Sequence, residues 1–139
     1  MTLLTVLALV APAQGAVTLG QTASTNEACA APSFAEVQNE VADGTSYTVP
    51  AGGGVITGWQ HQARDINNAM MKLKVFRPAG GASFTAIGES VLQDVGEPEL
   101  HSFGVRIPVQ AGDRIGLGTA PNAADAPTSC FVKRAVTGD

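Results

Sequence analysis

Met70-Met71-Lys72-Leu73-Lys74-Val75-Phe76-Arg77 places Met71, Leu73 and Val75 at alternate positions with Lys72 and Lys74 between them. That period of two sends apolar side chains to one face of a β-strand and charged ones to the other, whereas a helix needs apolar residues three and four apart. Pro78 is expected to stop the run, because proline cannot donate to a sheet ladder.

Working outward, Leu100 to Val109 repeats the pattern. His101, Phe103, Val105, Ile107 and Val109 fall on one face and Ser102, Gly104 and Arg106 on the other, with Pro108 restricting the segment to an edge or a strand end. Gln110-Ala111-Gly112-Asp113 reads as a turn into a short strand, Arg114 to Leu117. Weaker strand signals cover Val17 to Thr22, Phe34 to Val41, Ser46 to Val49, Val55 to Gln62, Phe84 to Val91 and Ser129 to Val136. Turn signals separate them at Asp43-Gly44, Pro50-Ala51-Gly52-Gly53-Gly54, Pro78-Ala79-Gly80-Gly81 and Gly96-Glu97-Pro98. Gln62 to Ala69 has no turn dipeptide and is expected to be an exposed loop between strands.

With 16 glycines and 8 prolines in 139 residues, breakers recur too often for ordinary helices. The expectation is an all-β fold of about eight or nine short strands, a two-sheet antiparallel β-sandwich of jelly-roll-like type. Residues 16–139 form one domain of ordinary size. A hydrophobic fraction of 45% excludes a disordered chain. The 8 Lys and Arg against 12 Asp and Glu form no basic cluster, which excludes sequence-independent nucleic-acid binding.

The first charged side chain is Glu27. Before it, the apolar run Leu3 to Ala11, Pro12 and the small-residue stretch Ala13-Gln14-Gly15-Ala16 follow the order of a secretory signal peptide, with cleavage after Gly15 or Ala16. The run is shorter than the roughly 20 apolar residues a membrane span needs. Its basic n-region is missing, which points to a start upstream; a buried first strand or helix is the other reading. At the far end, Val136-Thr137-Gly138-Asp139 follows a strand-like run directly, so either that strand closes the sandwich or more structure lies downstream. Cys29 and Cys130 are the two cysteines and lie near the two ends of the mature domain. In an exported chain without CxxC spacing they are expected to form one structural disulfide rather than two free thiols or metal ligands. Closing a loop of about 100 residues is worth up to about 4–5 kcal/mol in the chain-entropy model.

Catalytic and metal signals are sparse. His61 and His101 are the two histidines, and neither sits in a nucleophile–base signature, so no catalytic or cofactor-binding residue is assigned. His101 falls on the apolar face of its strand and reads as a core or strand-end histidine. If Val55 to Gln62 is a regular strand, Val55, Thr57, Trp59 and His61 share a face. Trp59, the single tryptophan, is read first as a core residue and second as part of a ligand surface with Gln60, His61 and Arg64. Asp94, Glu97 and Glu99 are read first as solvated loop carboxylates and only weakly as a structural calcium site. Lys72, Lys74, Arg77, Arg106 and Arg134 raise the question of a basic stripe, for which the ordinary outward charge of alternating strands is the simpler account.

Tyr47-Thr-Val-Pro-Ala-Gly-Gly-Gly-Val-Ile-Thr-Gly-Trp59, Leu73-Lys-Val-Phe-Arg-Pro78 and Ile107-Pro-Val-Gln-Ala-Gly-Asp-Arg-Ile-Gly-Leu117 resemble a recurrent pattern in uncharacterised secreted bacterial β-sandwich proteins, often of high-GC actinobacteria. The resemblance covers roughly Cys29 to Cys130. It implies a jelly-roll-like sandwich with glycine turns entering and closing strands, and it implies no activity.

The expected function is a non-catalytic secreted or cell-envelope module with a structural or binding role. An extracellular carbohydrate-binding module using a surface around Trp59 and His61 is the alternative, and a secreted hydrolase using loop carboxylates comes third. The expected partners are an extracellular glycan or a cell-envelope component, with no nucleic acid and no membrane span.

Overall fold

The computed structural model describes residues 15–22, 27–28, 35–38, 45–63, 70–120 and 131–132. Among these the chain is all-β: β1 (Glu27–Ala28), β2 (Ala35–Val37), β3 (Gly54–Gln62), β4 (Met70–Gly80), β5 (Ser83–Glu89), β6 (Gln93–Asp94), β7 (Leu100–Val109), β8 (Arg114–Ala120) and β9 (Phe131–Val132). Every pairing is antiparallel. One sheet runs β2-β8-β4-β5 with β6 beside β4, the other is β3-β7, and β1-β9 stands apart as a short pair. Seven strands thus build the two main sheets of a small β-sandwich, slightly fewer than the sequence rhythm implies.

The stretch around Leu73 is the hub. β4 pairs with β5, β6 and β8, and its alternating Met71, Leu73 and Val75 are buried against Trp59, Ile107, Val109, Val49 and Val95 from the rest of the chain. Lys72 and Lys74 point to the other face, where both reach Glu89 of β5, at 2.8 and 3.0 Å. Pro78 does not end the strand, which continues to Gly80. The pairing with β8 stops at Phe76↔Arg114, so beyond it β4 has a partner only in β5 and the missing proline N–H leaves no ladder bond unmade. Pro108 is accommodated in the same way, since β7 has a single neighbour, β3.

Two other expected strands are different. Val17 to Thr22 forms no strand; it is held by the Gly20 amide donating to the Ser46 carbonyl, with Leu19 packed against the core. Ser46 to Val49 contributes one isolated bridge, Thr48↔Arg114, rather than a strand. Residues 1–14, both cysteines and residues 64–69 lie outside the described residues, and with them nearly all of the expected signal peptide, the expected disulfide, Arg64 and the expected loop beyond Ala63.

Two glycine turns close one end of the sandwich. In Pro50–Gly53 the Gly53 amide donates to the Pro50 carbonyl, and in Gln110–Asp113 the Asp113 amide donates to the Gln110 carbonyl. The turns interlock: Val49 N–H donates to Asp113 O at 2.8 Å and Gly112 N–H to Val49 O at 2.9 Å. Gly53 sits at φ 63°, and a Cβ there would lie 2.6 Å from the Val109 carbonyl, so both conformation and space demand glycine. The Asp113 carboxylate, 1% exposed, locks the corner. It accepts a two-pronged contact from Arg77, Nε to Oδ1 at 2.8 Å and Nη2 to Oδ2 at 2.9 Å, and the Gln110 amide at 2.8 Å. Arg77 and, more weakly, the Gln110 amide hold this carboxyl below the usual range against the opposing effect of burial.

Candidate functional site

β3 and β7 present two different faces, and the proposed ligand residues divide between them. The register runs Trp59↔Phe103, Gln60↔Ser102 and His61↔His101, but it shifts between Ile56 and Gly58. Across the shift β3 advances from Ile56 to Gly58 while β7 advances from Ile107 to Gly104, so the extra residue lies on β7, and the inward set of β3 changes there. Ile56, Trp59 and His61 therefore lie on the core side, and Val55 is exposed, not beside Trp59 as a regular strand requires. Gln60 projects to the opposite, outer face, where its Nε2 donates to Ser102 Oγ at 3.0 Å. The structure brings Trp59 and His61 together and sets Gln60 apart from them.

At the end of the sheet opposite the glycine turns, the inward face carries an aromatic cluster. The Trp59 and Phe103 rings lie 4.8 Å apart and tilted by 38°, and the His101 ring lies parallel to Phe103 within 6° at 6.1 Å. Trp59 is 7% exposed, and its indole N–H has no acceptor among the described residues. His61 is equally buried. That burial, with a smaller repulsion from His101, pushes its pKa down to about 4, so its ring is neutral at neutral pH. His101 is half-buried, and its Nε2 lies 2.8 Å from the Glu97 carbonyl oxygen. A carbonyl only accepts, so this nitrogen carries a hydrogen. The opposition of the two histidines was not visible along either strand, since only the pairing register brings positions 61 and 101 face to face.

The outer face of β3-β7 is polar and shallow. Gln60, Ser102 and Arg106 flank Gly58 and Gly104, which face each other in register and leave a strip of sheet without side chains. The other cations are dispersed: Lys72 and Lys74 sit against Glu89, Arg77 against Asp113, and Arg114 lies 5.5 Å from the centre of the Phe84 ring. No basic stripe results among the described residues.

The carboxyl-bearing residues of the acidic loop, Asp94, Glu97 and Glu99, are exposed. Asp94 Oδ1 accepts the Gly96 amide at 2.9 Å, a local turn contact, and the Glu99 amide donates to the Glu97 carbonyl. Among the described residues no three His, Cys, Asp or Glu side chains come together in a group able to hold a metal ion, and no helix is long and apolar enough to cross a membrane. No family model, curated protein or solved structure gives a significant match to this chain.

Proposed function

We propose that this chain is an exported, non-catalytic β-sandwich module that acts outside the cell or at the cell envelope through binding or structural support. The observation that carries this reading is the corner at Asp113. The most deeply buried carboxylate among the described residues is committed to Arg77 and a turn amide, so its charge serves to fix two loops and not to meet a substrate. Lys72 and Lys74 are likewise committed to Glu89 on a neighbouring strand.

A glycan is the second reading of the partner, and the outer face of β3-β7 favours it. Planar amide and hydroxyl groups at Gln60 and Ser102 beside a glycine strip suit the flat, hydroxyl-rich edge of a sugar chain. The Trp59–His61 side is turned toward the core and suits it less. The bridge between Cys29 and Cys130 belongs to the same proposal. The antiparallel pairing Glu27↔Val132, Ala28↔Phe131 joins the segment that precedes Cys29 in sequence to the one that follows Cys130.

Expression of the full chain in an exporting bacterial host tests the reading. The expected product is cleaved after Gly15 or Ala16, takes up alkylating reagent only after reduction, and is retained on bacterial envelope material or a polysaccharide without releasing soluble products. Retention of residues 1–15 on an intracellular product refutes export, and release of cleaved glycan refutes the non-catalytic assignment.

A further inference from the structure

We propose that His61 and His101 together form a binding site for a divalent transition-metal ion of the zinc, nickel or copper(II) type. Their placement is the first argument. β3 and β7 set them directly opposite in antiparallel register, both on the face turned toward the core. Side chains so opposed start from Cβ atoms about 4.5–5.5 Å apart. Two imidazoles leaving that span can both reach one ion at the roughly 2.0–2.1 Å that a zinc–nitrogen bond requires.

The orientation of His101 is the second, independent argument. Its Nε2–H donates to the Glu97 carbonyl at 2.8 Å, and its ring lies parallel to Phe103 within 6°. Ligating histidines ordinarily donate their other ring N–H to a carbonyl or carboxylate in this way, which fixes the tautomer and raises the basicity of the coordinating nitrogen. The His61 side chain makes no hydrogen bond among the described residues, so a ligand there displaces no protein partner. Nitrogen donors select the metal class: imidazole suits zinc, copper and nickel, whereas calcium and magnesium take shells of oxygen ligands. Two imidazoles supply part of a four-coordinate shell, and water completes it, the arrangement of an open site.

Trp59 stands two residues from His61 on the same face and is the single tryptophan, so it reports on the site directly. The test titrates the chelator-treated full chain with copper(II), nickel and zinc salts, following Trp59 emission and the thermal midpoint. The expected result is saturable quenching by one equivalent of copper(II), a rise in midpoint with zinc, and a loss of affinity of at least about tenfold in both His61→Gln and His101→Gln. His101 is only half-buried, so if His61→Gln fails to fold by circular dichroism, His101→Gln decides alone. Unsaturable quenching, affinity unchanged in His101→Gln, or binding abolished by thiol alkylation with both histidines intact overturns the proposal.

Discussion

A close approach between the two main sheets gives a quantitative test of the sandwich. Gly88 of β5 faces Ile107 of β7, and a Cβ built on Gly88 would lie 2.7 Å from the Ile107 Cγ2 methyl. No side chain fits at that separation without movement. Ile107 is 6% exposed and branched at Cβ, so its methyl has little freedom to turn aside. Gly88→Ala is therefore expected to destabilise by about 1–3 kcal/mol, the usual range for one carbon too many in a packed core. Ile107→Ala alone removes the methyl and opens a void, for about 2–5 kcal/mol. Combined, the new alanine methyl occupies part of the space that the isoleucine vacates. The double variant is then less destabilised than the two singles added together by about 1–2 kcal/mol, within the range seen for residues in contact. Ile107→Val keeps a methyl at the same branch point and costs only about 0.5–1.5 kcal/mol by itself, so it should not rescue Gly88→Ala. Urea unfolding followed by the emission of Trp59 measures all of these. Additivity within about 0.5 kcal/mol for the Gly88→Ala/Ile107→Ala pair refutes the packing of β5 over β7.

Other expectations follow from single contacts. His61 has a folded pKa of about 4 against 6.5 for the free side chain, so the unfolded chain binds its proton first as pH falls. Its contribution to stability is complete above pH 6.5 and is lost on acidification toward pH 4, about 3 kcal/mol in all, which His61→Phe should remove from a pH series run with chelator present. A wild-type profile identical to that of the variant between those pH values refutes this. Gly116→Ala drives a methyl into the Glu36 carbonyl across the β2-β8 pair, so the variant should lose protection of the β2 amides in hydrogen exchange, and unchanged protection contradicts that pairing. Asp113→Ala leaves Arg77 and the Gln110 amide without their acceptor. The expected cost is about 1–3 kcal/mol in urea unfolding, moderated because Arg77 reaches solvent, and a cost near zero contradicts the corner lock.

How far the sequence foretold this architecture depended on what each residue answers to. β7 was legible because its alternation from His101 to Val109 is uninterrupted and a period of two has one structural meaning. β3 was not, because the bulge between Ile56 and Gly58 changes the inward set and nothing in Val55-Ile56-Thr57-Gly58 announces it. The glycine turns at 50–53 and 110–113 were read correctly one by one, but their interlocking through Val49 and Asp113 depends on contacts between distant segments. The burial of Trp59 agreed with its simpler reading. The encounter of His61 with His101 required a register, and an outward Gln60 beside inward neighbours required the sheet itself.

The β3-β7 pair also shapes how the molecule is made. Its partners are separated by residues 63–99, whereas β4 and β5 meet across the short turn at Gly81-Ala82. Local pairs form early and distant ones late, since closing a long loop costs entropy before any contact repays it. During synthesis or export, Gly54–Gln62 emerges well before β7 and carries no Asp, Glu, Lys or Arg to repel a like segment. In that interval it is open to pairing with another copy of itself. The register shift between Ile56 and Gly58 exists only in the finished β3-β7 pair, so it gives Gly54–Gln62 no cover before β7 is made. Only the arrival of β7 closes that edge.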